Sequence, residues 1–149
     1  MHCDVDQKDA ADHVHEAIFA VCGGRGAERI DHGLNAVDRP ELLAGLKARG
    51  IPLTLCPHAY HRRQPTEVLF PKIRRLWDAG VAFCINSDDP TYMHDVWVDG
   101  ALEKVYRYCR LSRADMVRLV RNGVEMSWAE EGLKKRLLDE LVAFEAAHC

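Results

Sequence analysis

Short apolar runs alternate along the chain with stretches whose apolar residues recur every three to four positions. That alternation builds βα units and parallel sheets. Gln7 to Ala20 has the helical period, and Gly23-Gly24-Arg25-Gly26 breaks it. Glu28 to Asp31 predicts a short strand that ends at His32-Gly33. Arg39 to Arg49 predicts a helix, with Pro40 in its first turn and Gly50 closing it, and Ile51 to Leu55 the next strand. A loop follows, holding His58, Tyr60, His61, Arg62 and Arg63. Pro71 to Ala79 then predicts a helix stopped by Gly80, and Val81 to Ile85 is an apolar strand. From Asp95 onward the pattern is wholly helical: Asp95 to Tyr108, Ser112 to Arg121 and Ser127 to Ala147, the last two with a serine in the N-cap position.

The polar residues of interest fall just after the strands. His2, His32, Cys56-Pro57-His58 and Asp88-Asp89 are spaced by 30, 24 and 32 positions, about one βα repeat each time. In a (β/α)₈ barrel successive strands end at one rim, so side chains one repeat apart converge on one pocket. Histidines and an Asp-Asp pair meeting there predict a metal site. Only Met1 precedes His2, so the strand that His2 should end is expected to be missing. The fold class predicted is α/β: a partial (β/α)₈ barrel of late strands and helices with a helical closing segment.

Composition narrows the function. The 149 residues are 48% hydrophobic and 29% charged with a net charge of -3, as in a globular domain rather than a disordered chain. Lys and Arg are interspersed with Asp and Glu, so the footprint of a nucleic-acid-binding surface is lacking. Runs such as Val81 to Ile85 are far too short to span a bilayer, and the cytoplasm is the expected compartment. Cys3, Cys22, Cys56, Cys84, Cys109 and Cys149 form no C-x-x-C pair, so they are expected to be mostly small buried residues. Trp77, Trp97 and Trp128, and Leu137, Leu138, Leu141 and Val142 of the closing helix, are expected to pack.

Glu28-Arg29-Ile30-Asp31-His32-Gly33, Leu53-Thr54-Leu55-Cys56-Pro57 and Ile85-Asn86-Ser87-Asp88-Asp89-Pro90 stand in fixed order, and Asn122-Gly123-Val124-Glu125-Met126-Ser127-Trp128 precedes the closing helix. In this order and spacing the chain resembles the C-terminal half of the adenosine/adenine deaminase family, with His2 opening a stretch similar to that family's zinc-ligand motif. The resemblance implies a zinc-dependent purine aminohydrolase, with Zn²⁺ as cofactor and a small purine as substrate. His2 and Asp88 would then be zinc ligands. His32 would contact the activated water, Asp88 would share in proton transfer, and Asp89 would bond a purine ring nitrogen. His58 lies in a loop that the family places near substrate.

Two departures bear on activity. The family's general acid, a glutamate three residues after the zinc histidine, falls on Val5; Asp4 or Asp6 shares strand parity with His2 and could replace it. The family's other two zinc histidines form an H-x-H on a first barrel strand that has no counterpart here. His13-Val14-His15 has that form, but it lies in a predicted helix, where residues two apart point to different sides. The H-x-E with P-C-x-x-C signature of cytidine-type deaminases is absent. The alternatives to an enzyme are an inactive truncated remnant and a metal-free purine-binding module. The partners expected are a missing N-terminal half or a second copy of the chain.

Overall fold

The computed structural model describes residues 1–148. Four short strands, β1 (His2–Cys3), β2 (Ile30–His32), β3 (Leu53–Leu55) and β4 (Phe83–Ile85), pair in that order. All three pairings are parallel, with Asp31 opposite Thr54 and Thr54 opposite Cys84. The helices are α1 (Ala10–Phe19), α2 (Pro40–Arg49), α3 (Pro57–His61), α4 (Thr66–Asp78), α5 (Val98–Cys109), α6 (Arg113–Glu125) and α7 (Glu131–His148). Residues Leu34–Asp38 and Pro90–Tyr92 form 3₁₀ turns. The order is that of a partial barrel, with crossover helices between parallel strands and a helical closing segment.

Strand parity decides which face each residue meets. Ile30, Leu53, Leu55, Phe83 and Ile85 are buried on one parity; α1 packs on both β1 and α2, and α4 packs on α5. The other parity carries the half-buried Asp31 and Thr54, whose hydroxyl donates to the Asp31 carboxylate at 2.7 Å. α6 leans on β4, where the Asn122 amide donates to the Phe83 carbonyl at 2.9 Å. Its N-terminus is a capping box: the Asp115 backbone N–H donates to Ser112 Oγ at 3.1 Å, and the Ser112 N–H donates to the Asp115 carboxylate at 2.9 Å.

Several expectations need correction. The orphaned strand end at His2 is a two-residue strand paired with β2. The loop after Cys56 begins as the short helix α3, for Pro57 needs no N–H at a first helical position. α4 begins at Thr66, five residues before Pro71, which lies inside it. An interior proline costs about 3 kcal/mol. Burial of Leu69, Phe70, Ile73 and Leu76 on one stripe outweighs it, at roughly 1.5–3 kcal/mol for each such side chain. Ser127 closes α6, its hydroxyl donating to the Val124 carbonyl at 2.8 Å, and does not open α7.

The packing expectations divide. Cys3, Cys56, Cys84 and Cys109 are buried, Cys22 is exposed, and Cys149 lies outside the described residues. Trp77 packs edge-on against Phe83, whereas Trp97 and Trp128 are exposed. Leu137 and Val142 are also exposed, and Leu138 and Leu141 half-buried, because α7 packs chiefly on α6. No described helix is long and apolar enough to cross a membrane.

Candidate metal and substrate site

His32 is the last residue of β2, Cys56 follows β3, and Asp88 lies three residues beyond β4. Parallel pairing in sequence order places these ends side by side. One ligand atom from each of His32, Cys56 and Asp88 lies within 4.8 Å of the other two. His32 and Cys56 are buried and Asp88 is exposed, so the cluster opens to solvent on the carboxylate side.

The backbone is strained where it aims two of these side chains. His32 has φ 66° and Asp88 φ 62°, both left-handed and neither glycine. Such conformations cost roughly 1–3 kcal/mol and persist where the surroundings impose them. Gly33 continues the left-handed turn at φ 71°, and a Cβ there would lie 3.0 Å from Leu53 Cδ2 and 3.1 Å from Ile30 Cγ2. The His32-Gly33 pair therefore turns the chain sharply out of the sheet while β2 stays packed on β3.

His2 meets His32 edge to face, ring centroids 4.5 Å apart at 83°. Burial, and then the neighbouring His2, push the His32 pKa down, against the opposing pull of Asp88, Asp4 and Asp31. Nδ1 of His32 is 2.8 Å from the Tyr60 hydroxyl, which accepts the Cys56 backbone N–H at 3.0 Å. Burial, and then the adjacent Asp88, push the Cys56 thiol up to about 12.

The other expected site residues are placed as follows. Asp4 accepts the Val5 N–H at 2.7 Å and acts electrostatically on His32. Asp6 is ion-paired with Arg63, and Val5 is buried in the core. Asp89 is exposed at the start of the Pro90–Tyr92 turn. His58 is buried with both ring nitrogens engaged: Nε2 is 2.8 Å from the Met93 carbonyl and Nδ1 2.6 Å from the Lys104 ammonium. The expected substrate contact at His58 thus meets a ring with neither nitrogen free. His13, half-buried on α1, lies 3.4 Å from Asp9, and the exposed His15 packs on Phe19.

Sequence reasoning did not assign Cys56, Tyr60 or Lys104 to the site. Cys56 had a signal, standing one βα repeat after His32 in the strand-end series. Lys104, on α5, had none. A cavity of about 470 Å³ is lined by Asp31, Thr54 and Cys84 of the sheet, by Asn86 just after β4 and by Leu119 and Gly123 of α6. Imidazole nitrogen, sulfur and carboxylate oxygen are donor types that zinc takes, and the His2 ring stands alongside the cluster.

The model of the adenosine deaminase family matches residues 7–144. The expectation of a likeness to the family's C-terminal half alone is corrected: the family's model matches nearly the whole chain. An uncharacterized deaminase of Schizosaccharomyces pombe is 35% identical over 147 residues, covering 99% of this chain and 42% of the relative. An adenine deaminase of Aspergillus fumigatus is 39% identical, covering 78% of this chain and 33% of the relative. The crystal structure of an adenine deaminase from Arthrobacter aurescens superposes with a TM-score of 0.83 at 27% identity, over 97% of this chain and 42% of that one. A Burkholderia ambifaria amidohydrolase with bound zinc gives 0.65 at 28% identity, over 94% of this chain and 38% of that one. The chain thus spans 33–42% of the length of these relatives. With three strand ends converging on zinc-type donors and the family's model running from residue 7 to residue 144, the chain belongs to the adenosine deaminase family.

Proposed function

We propose that the chain forms part of an adenosine/adenine-deaminase-like barrel domain that deaminates a 6-aminopurine hydrolytically. The observation that carries this reading is the convergence of His32, Cys56 and Asp88 within 4.8 Å at the strand ends. The adenine deaminases among its relatives support the purine as substrate. His2 and Asp88 would hold zinc, which when bound supplies Lewis-acid activation of water.

The chain's own groups then divide the work. Asp88 accepts a proton from the attacking water, and His32 stabilises the negative charge that develops on its oxygen. The C6–O bond forms and the C6–N bond breaks. Of the two water protons, one leaves in ammonia and the other ends on the ring nitrogen of the 6-oxo product. Asp4 is the candidate to supply that ring proton, because Val5 cannot and Asp6 is paired with Arg63. Asp89 would hold the purine by a ring nitrogen.

Ammonia release from adenine and from adenosine tests the reading. With two of the four zinc donors, the 149-residue chain by itself is expected to give no turnover. Joined to a segment of a relative that carries the H-x-H pair, it should turn over, Asp88→Ala should abolish this, and His13→Ala should not. Loss of activity in His13→Ala would place the site elsewhere. Val5 in the general-acid position favours a second reading, a metal-free purine-binding module. Calorimetric binding of adenine in the presence of chelator, without turnover in the joined protein, selects that reading.

A further inference from the structure

None of the described residues of α7 is buried, although the helix is 18 residues long and rich in leucine. Half-buried Lys134, Leu138, Leu141 and Glu145 mark the side turned to α6, where Glu145 lies 3.6 Å from Arg121. Leu133, Leu137, Leu141 and Phe144 follow one another by four, four and three positions, so they form one stripe along the flank of that contact. Leu133, Leu137 and Phe144 are exposed. A helix in water owes most of its stability to an apolar face packed on something, and this face is open.

The stripe borders a groove of about 450 Å³, lined by Leu102 and Tyr106 of α5, Met116 and Val120 of α6, and Leu141 and Phe144 of α7. Tyr106 and Val120 are exposed there as well. Single apolar residues are ordinary on a surface, whereas a contiguous apolar patch drawn from three helices marks an interaction site. A ridge of leucines on a helix is the shape that fills a groove between other helices. The chain carries ridge and groove side by side, the condition for a two-fold contact between identical surfaces.

The charges along α7 select the occupant and its direction. Lys134-Lys135-Arg136 is followed by Asp139-Glu140. Arg136 and Glu140 flank the stripe, both exposed and 4.0 Å apart within the helix. A second α7 laid parallel would bring the basic run level with its own copy, like charge against like. Laid antiparallel, with Leu133 level with Phe144 of the second copy, Arg136 comes within a residue of Glu140 of the second copy, and Glu140 of its Arg136. Two reciprocal ion pairs then flank the apolar contact.

We propose that the α5–α6–α7 face docks a second copy of this chain, the two α7 helices running antiparallel with each leucine stripe laid against the stripe and groove of the other. The proposal is independent of the chemistry at the strand ends.

Sedimentation equilibrium of the 149-residue chain should show a dimer that dissociates on dilution. Leu137→Glu and Phe144→Glu, at exposed positions and checked for folding by circular dichroism, should sediment as monomers. Arg136→Glu and Glu140→Arg should each weaken the dimer about tenfold, because each turns two exposed ion pairs into repulsions. Mixed in equal amounts, these two variants should associate with each other about as tightly as the wild type, since the mixture restores both pairs. A monomeric wild type would overturn the proposal and leave the groove to a helix of another chain. A dimer that Leu137→Glu leaves intact would overturn it in favour of pairing at the sheet edges. A mixture of the charge variants no tighter than its components would overturn the antiparallel arrangement, and that measurement stands even where a glutamate in the stripe prevents folding.

Discussion

The ammonium of Lys104 lies 2.6 Å from Nδ1 of His58, whose Nε2 lies 2.8 Å from the Met93 carbonyl. Lys104 can only donate, so Nδ1 accepts and the proton on Nε2 goes to Met93. One buried imidazole thereby ties α3 to α5 and to the segment that carries Asp88 and Asp89. Burial pushes the pKa of both His58 and Lys104 down.

His58→Ala should loosen that segment, since it leaves the Met93 carbonyl and the Lys104 ammonium without their partner. Removing one partner of a buried hydrogen bond costs about 1–3 kcal/mol. Amide exchange at Met93 and Asp95, whose N–H groups donate to Pro90, should accelerate roughly tenfold or more. Unchanged exchange there would show that the turn holds itself.

Acid should destabilise the fold before any carboxylate titrates. His32, His58 and His61 all have pKa values lowered chiefly by burial, and Lys104 adds to the effect at His61. A depressed folded pKa means that the unfolded chain binds more protons. Stability is then fully present above the ordinary value of 6.5 and falls as pH drops toward the lowered folded values. Urea midpoints at about pH 7.5 and about pH 5.5 should show the loss, and His61→Gln should shrink it. A midpoint unchanged or higher at the lower pH would contradict this.

The left-handed backbone at Asp88 predicts separate effects on stability and chemistry. Glycine adopts φ 62° without penalty, so Asp88→Gly should unfold within about 1 kcal/mol of the wild type or above it. Asp88→Val, β-branched, should lose about 1–2 kcal/mol relative to that variant. Both should be inactive in the joined enzyme. Calorimetric melting of the two variants measures the difference, and equal melting would mean that the turn stores no strain.

Cobalt(II), replacing zinc, should report which donors take metal. Cys56 is buried beside Asp88 with its thiol pushed up to about 12, which opposes the thiolate form. Cobalt taken up by the chain should therefore show no thiolate-to-metal band. Uptake should fall in His2→Ala and Asp88→Ala and persist in Cys56→Ser, and a chelator should strip the metal. A near-ultraviolet band abolished by Cys56→Ser would put sulfur in the ligand set.

The spacing of His2, His32, Cys56 and Asp88 was enough to predict a parallel sheet whose strand ends meet at one rim, because strand and helix lengths are local properties of the apolar period. The same period exposed His13-Val14-His15 as a helical pair, and the structure puts both histidines on α1. Local signals failed where a cap competed with burial. Pro71 reads as a helix start, yet the stripe from Leu69 to Leu76 carries α4 through it, and Ser127 has a cap's chemistry but bonds backward to Val124.

What the sequence by itself determined was the class of fold and the set of groups brought to one rim. Only the tertiary structure decided how each group is used. The left-handed turns at His32 and Asp88, the tie from His58 to Lys104 across 46 residues, and the Tyr60 hydroxyl on His32 across 28 residues appear in no periodicity. They arise because a buried donor or acceptor must find a partner wherever packing places one. That choice is made between segments distant in sequence, after the sheet has brought them together.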